Sequence, residues 1–471
     1  MQKEFRNNII LLLVINFVIK PFYVLGIDAQ VQNAVGESEY GMYFALFNFC
    51  FLFQIILDFG IQNYNSQYIS SNRDEISLML PIVLGAKIIL IILFAFMVSI
   101  GALLMSYPLE YFILLGLIVM VMVFQSLFIY LRSNFSALGF FRMETWFSAF
   151  DKFLMILVIG YLLYVSKNIS ITLFAAGQLF ALVISVIVAV FFLRKKVVFK
   201  INFNLGKIKT LLTKSFPFAI VFLLMTLYTR MDGVMLEYIL DDNARAAGVY
   251  AAGFRLLDAA NMIGYLFALL LLPMFANLIG EKKDVNTLTF SAASLLITIA
   301  SLISAICWFY SSEIMNLIYI QADNTYSEVF RVLMLSFWAM ALSYVFGSLI
   351  TASGKLRIFN MIFVVGIIIN WTLNLMLIPE KGAYGAAVAT LVTQFFVFLS
   401  QLILARKMFD LHFNFTFFSK SLTIVGTYFA LSYLMHQYLA MNWFLEIIII
   451  TIISLAISFF MGFLRLSLKP A

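Results

Sequence analysis

The sequence predicts an all-α protein that crosses a membrane many times. Three observations lead there. First, 64% of the 471 residues are apolar and only 11% are charged, with a mean hydropathy of +1.03. A soluble domain carries about 25% charged residues. Second, the apolar residues come in long continuous runs rather than in the alternation of a membrane β-barrel. In lipid only helices and closed barrels satisfy every backbone group, so the runs are read as helices. Third, Lys and Arg are segregated between the connections. With the N-terminus placed in the cytoplasm, 21 fall on the inner side and 4 on the outer. That bias sets an orientation with both termini cytoplasmic.

A spanning helix needs about 20 mostly apolar residues. Fourteen stretches qualify, at 9–27, 40–60, 78–104, 110–131, 143–165, 170–193, 216–239, 247–279, 286–310, 328–351, 356–378, 383–406, 417–436 and 441–464. The first contains Lys20 and is not followed by a small-residue cleavage site, so it reads as a retained helix rather than a signal peptide. A loop at 27–39 follows, with Asp28, Glu37 and Glu39 on the outer side. The eighth run is overlong, with 270–279 as a candidate interfacial end. The polar connection 194–215 is the longest and is strongly basic. It reads either as an anchor on anionic lipid or as an amphipathic linker that lets two halves rock. Cys50 and Cys307 both lie in apolar runs and read as packing residues.

Short matches point to an internal duplication. Ala137-Leu-Gly-Phe-Phe-Arg142 and Ala352-Ser-Gly-Lys-Leu-Arg357 each follow the fourth helix of a half. Gly41-Met-Tyr-Phe-Ala45 and Gly248-Val-Tyr-Ala-Ala252 each open the second. Six helices per half keep the same orientation, so the expectation is two pseudo-symmetric six-helix lobes. Their bounds would be 1–200 and 201–409, with two additional helices at 410–471.

Charges inside apolar helices are costly and mark pathways or sites. At about 1.5 Å per residue, Lys20, Arg230 and Arg255 fall slightly outward of the midplane, and Lys87 and Lys152 lie lower. Three cations at one level suggest a cationic central cavity. A structural reading competes with this. Arg255 and Asp258 are three apart on one helical face, Arg230 and Glu237 share a face, and Asp151 adjoins Lys152. Lys20 has no acid at i±3 or i±4 and precedes Pro21, a kink position. Asp58, in Leu57-Asp-Phe-Gly60, reads as a helix-end cap or as a gate. With only His412 and His436 and no acidic cluster, a metal site is not expected. No phosphate-binding loop or nucleophile elbow occurs, and the outer loops are too short for a folded catalytic domain. Neither an enzyme nor a nucleic-acid binder is expected, and no cofactor.

The order of Phe216-Pro217, Arg230-Met-Asp232, Gly248-Val-Tyr-Ala-Ala-Gly-Phe-Arg255 and Leu377-Ile-Pro-Glu-Lys-Gly382-Ala-Tyr-Gly-Ala-Ala387, with Leu57-Asp-Phe-Gly60 and the two Ala-x-Gly motifs, resembles one family. It is that of the polysaccharide-biosynthesis flippases of the multidrug/oligosaccharidyl-lipid/polysaccharide exporter superfamily. The resemblance implies alternating access by two six-helix lobes. It implies export of undecaprenyl-pyrophosphate-linked oligosaccharide across the bacterial cytoplasmic membrane, for O-antigen, capsule or exopolysaccharide. Partners would be the lipid-linked glycan, membrane lipids and glycan polymerase machinery. Lys20, Arg230, Arg255 and Lys87 would face the pyrophosphate. Asp58, Asp151, Asp232 and Asp258 would be the candidates for gating or for proton or sodium coupling. An inside-negative potential favours outward movement of an anion by about 2.3 kcal/mol per charge per 100 mV, which needs no ATP. A drug or cation antiporter of the same superfamily should be dominated by carboxylates. A lipid II flippase shares the fold, and a membrane polymerase or ligase should carry a long outer loop.

Overall fold

The computed structural model describes residues 18–194, 197, 199–241, 244–354, 356–412, 415–439 and 441–463. Among these every regular element is a helix, with no strand. The contacts divide it into two compact units, the first ending at Gly248 and the second beginning at Val249.

The first unit opens with α1 (18–35). It contains a π-helical turn at Tyr23–Asp28, shortly after Pro21. The expected loop at 27–39 is therefore mostly helix. Asp28 is buried and accepts a hydrogen bond from the Tyr40 hydroxyl at 2.8 Å, which lets α1 run on to Val35 with a turn only at Gly36. The second span is broken into α2 (Glu37–Leu52), α3 (Gln54–Asp58) and α4 (Ile61–Ser71), bending by 47°. Phe59 and Gly60 adopt left-handed backbone, with φ of 48° and 73°. The polar run after Gly60 is thus helix α4, and its buried Asn65 donates to Asn134 at 3.0 Å.

Next come α5 (Ile76–Leu104), α6 (Phe112–Ala137), α7 (Phe141–Gly160, continued by a π turn to Val165), α8 (Ile171–Leu193) and α9 (Leu205–Ile239). The last begins 11 residues before the expected 216, because Asn204 caps its first turn by accepting from the Lys207 amide at 3.0 Å. Helix α6 packs on α8, and α9 packs on α2 and α4. The sequence placed the boundary between halves at 200, whereas compactness places α9 with the first unit.

The second unit continues α10 (Arg245–Gly280), overlong as expected, and adds α11 (Asn286–Phe309), α12 (Ser311–Ile318), α13 (Asn324–Ala352), α14 (Leu356–Phe409), α15 (Phe415–Tyr438) and α16 (Trp443–Phe460). Helix α13 is its central post, packed by α11, α12 and α14. Helix α14 is 54 residues long with non-helical backbone at Gly382. At about 1.5 Å per residue that is far more than one crossing of a ~30 Å core, so it forms two arms.

Nine helices among the described residues are long and apolar enough to cross a membrane, or ten if the bent second pair is one span. The protein is multi-pass. All fourteen expected stretches have helical counterparts, although residues 9–17 lie outside the described ones. That measure of length and apolarity does not establish fourteen crossings, because 18–35, Leu205–Ile239 and Phe415–Tyr438 do not pass it.

The paired motifs take on matching local structure. Gly139 and Gly354 each follow a helix C-terminus with positive φ, 85° and 74°, the left-handed geometry that favours glycine there. Gly41 and Gly248 meet each other. A Cβ on Gly41 would lie 2.0 Å from the Ala244 carbonyl oxygen, and one on Gly248 would lie 2.0 Å from that of Glu37. The contact is reciprocal, and it is closed by Gln32 donating to the Gly248 carbonyl at 3.0 Å and by the Arg245–Glu37 ion pair. Alanine at either glycine forces two backbones apart. Gly41→Ala and Gly248→Ala are each expected to cost about 1–3 kcal/mol or more, read as a lowered unfolding midpoint in detergent. Gly116→Ala on α6, where nothing lies within 4 Å, should be neutral or slightly stabilising.

Candidate functional site

Lys20 lies half-buried on α1, one residue before Pro21. The charges that act on it are Arg132 at the end of α6 and Glu144, Asp151 and Lys152 on α7. Two of these pairs are closed. Arg132 Nε sits 3.3 Å from Glu144 Oε1, and Lys152 Nζ sits 3.7 Å from Asp151 Oδ2. Lys152 also lies over the Tyr23 ring, 4.8 Å from its centroid, a cation–π contact. Gln178 on α8 donates to the Tyr23 hydroxyl at 3.0 Å and accepts from Tyr43 at 2.9 Å. No described carboxylate lies within 4.0 Å of Lys20. The cluster of three cations and two acids therefore carries a net positive charge on the α1 side.

Sequence reasoning found Lys20 and noted Lys152, but it missed Arg132, which was counted only as a charge of the inner side. The signal was the Arg132–Glu144 spacing across the Ala137–Gly139 turn, which brings the end of one helix onto the start of the next. Asp151 pairs with its own neighbour rather than linking helices.

Lys87 is placed differently from the expectation. Its side chain is 1% exposed, and its three donors are all used. It reaches the Leu57 carbonyl at 2.9 Å, Asp58 Oδ1 at 3.0 Å and Ser126 Oγ at 2.8 Å. An ammonium has only three N–H bonds, so none remains for a ligand. Asp58 additionally accepts from the Gln62 amide at 3.3 Å, capping α4. This pair holds the break in the second span.

Arg230 on α9 lies over the Phe51 ring at 4.9 Å. Asp232 is buried, and the Gly233 beside it packs on Asn48 and Phe44. Glu237, one turn further, accepts from Tyr107 at 2.9 Å. Arg255 and Asp258 are half-buried on α10 in the second unit, and both have polar or electrostatic contacts. Among the described residues no group of His, Cys, Asp and Glu could hold a metal ion.

The profile of the family described as "Polysaccharide biosynthesis protein" matches residues 5–279, more than half of the chain. The chain belongs to the polysaccharide biosynthesis protein family. No curated protein matches. Among solved structures, the lipid II flippase MurJ in its inward closed conformation is similar at TM-score 0.70 and 15% identity, over 96% of this chain and 98% of that one. An inward-facing multidrug resistance MATE transporter is similar at TM-score 0.58 and 13% identity, over 85% and 98%. A transporter of the MOP superfamily from Pyrococcus furiosus, described as having a binding pocket of reverse polarity, is similar at TM-score 0.59 and 12% identity, over 86% and 94%. At these identities the likeness shows the fold, the one those three structures share.

Within this family member Lys87 and Asp58 form a packing element. Removing the ammonium leaves the buried Leu57 carbonyl without its donor and the half-buried Asp58 carboxylate with only the Gln62 amide, at a cost of about 1–3 kcal/mol. Lys87→Met should thus lower the unfolding midpoint sharply. Combining it with Asp58→Asn should restore part of that loss, because the stranded charge is gone.

Proposed function

We propose that the protein is a flippase for polyprenyl-pyrophosphate-linked oligosaccharide, moving it from the inner to the outer leaflet of a bacterial cytoplasmic membrane with both termini inside. The observation that carries this reading is Lys20. It is a cation within a membrane helix whose neighbouring carboxylates are already engaged by Arg132 and Lys152. A cation kept in an apolar helix without a carboxylate beside it is costly, and an anionic headgroup offsets that cost. Arg230, in the same unit as Lys20, is a further group for the pyrophosphate. Family membership supports a glycan-linked substrate, and the fold supports a transporter. The polyprenyl tail can remain in lipid while the head crosses about 30 Å of hydrocarbon.

The cation-antiporter reading is less favoured, since it needs available carboxylates and Asp151, Glu144 and Asp58 all hold cations. Coupling to protons or sodium through Asp232 or Asp258 is compatible with the same pathway. O-antigen, capsule and exopolysaccharide units share the pyrophosphate, so the reading covers all three.

The test is transport in proteoliposomes loaded with polyprenyl-pyrophosphate oligosaccharide. Lys20→Gln should reduce flipping at least tenfold at unchanged protein content and unfolding midpoint, and Lys20→Arg should retain most of it. Full transport by Lys20→Gln and Arg230→Gln together would overturn the reading.

A further inference from the structure

The connection between α8 and α9 is built as a fixed strap. Asn202 donates its amide to the Pro81 carbonyl on α5 at 2.9 Å. Its own carbonyl oxygen sits over Gly85, where a Cβ would be only 2.2 Å away. Val197, Ile208 and Leu211 on either side are buried in the core of the first unit, with Phe199 and Leu212 packed against it. On the helical turns that follow, 208, 211, 212 and 215 share the inward face.

What the strap turns outward is of two kinds. Ile201 and Phe203 on the non-helical lead-in and Leu205 at the start of α9 are 55%, 54% and 70% exposed. Three large apolar side chains within five residues give this stretch an exposed apolar edge. Lys200, Lys207, Lys209 and Lys214 are also exposed. No described carboxylate pairs with any of them. The sequence contains no Asp or Glu from residue 152 to residue 231, while 194–215 alone carries Arg194, Lys195, Lys196, Lys200, Lys207, Lys209 and Lys214. A solvated linker has no reason to hold three large apolar side chains rigidly outward. An acidic protein partner would match the lysines but not the apolar edge.

The level of the strap identifies what covers it. From Gly85 to the end of α5 at Leu104 is 19 residues, or about 29 Å at 1.5 Å per residue. The hydrocarbon core is about 30 Å thick. Asn202 therefore sits where the acyl region meets the headgroups. At that depth an apolar edge enters the acyl boundary while neighbouring lysines reach lipid phosphates.

We propose that residues 200–214 form a lipid-binding strap, in which Ile201, Phe203 and Leu205 insert at the bilayer interface and Lys200, Lys207, Lys209 and Lys214 engage anionic lipid headgroups. The full-length protein in lipid nanodiscs tests this in two ways. Spin labels on Ile201→Cys and Phe203→Cys should collide more with oxygen than with a water-soluble nickel chelate, and a label on Thr210→Cys should do the reverse. Cys50 and Cys307 are buried and free, so the introduced thiols take the label. Replacing a third of the phosphatidylcholine with phosphatidylglycerol should raise the unfolding midpoint of the wild type. K200Q/K207Q/K209Q/K214Q, with an unchanged midpoint in pure phosphatidylcholine, should lose more than half of that rise. Sodium phosphate added to phosphatidylcholine discs should not reproduce it. A Phe203 label as accessible to nickel as the Thr210 label would overturn the proposal. So would a full phosphatidylglycerol response in the four-lysine variant, or a rise caused by phosphate alone.

Discussion

A carbonyl freed by a break in a membrane helix has no water to bond to, and each unsatisfied group there costs several kcal/mol. The second span breaks at Phe59 and Gly60, which exposes this problem at Leu57. The chain solves it with Lys87, whose ammonium takes the Leu57 carbonyl, the Asp58 carboxylate and the Ser126 hydroxyl together. Asp58 in turn caps the helix that resumes after the break. The Lys87–Asp58 pair thereby ties α3, α4, α5 and α6 around the 47° bend. Phe59 stores backbone strain in its left-handed conformation, and the surrounding bonds sustain it.

The motifs that mark the family do the same kind of work. Leu57-Asp-Phe-Gly60 is the broken span. Gly41 and Gly248 are a backbone-to-backbone crossing. The two Ala-x-Gly motifs end helices in left-handed glycine. Van der Waals packing and small residues carry helix association in lipid, where there is no hydrophobic drive between helices. Recurring short motifs in such a chain therefore report close approaches and helix ends before they report chemistry.

The chemistry lies with the charges that packing does not consume. Around α1 the two carboxylates of α7 are taken by Arg132 and Lys152, and the local charge is left positive at Lys20. Elsewhere in the first unit, the basic strap exposes its lysines, with no acid along 80 residues of chain, 152–231. Both features suit the proposed contacts with anionic, phosphate-bearing lipid.

Much of this was legible in the sequence, because composition and run length alone decide that a chain lives in a bilayer. Helix positions, the overlong eighth run and the Ala-x-Gly and Gly-x-Tyr pairs were readable from the residues, and the family from a resemblance in the order of its motifs. Where a helix really ends was not. Asp28 extends α1 through a bond to Tyr40, and Asn204 starts α9 early through a cap, so both ends depend on hydrogen bonds that apolar runs do not encode. Nor did spacing along one helix show which charges are spent. Lys87 meets Asp58 from 29 positions away and Arg132 meets Glu144 from the next helix. In a low-dielectric interior the pairing of a charge is settled by whatever the fold brings within a few ångströms. The sequence by itself determined that the chain is a many-helix membrane protein with cations inside its helices, and only the tertiary structure decided that Lys87 is tied to Asp58 while the carboxylates nearest Lys20 pair with Arg132 and Lys152.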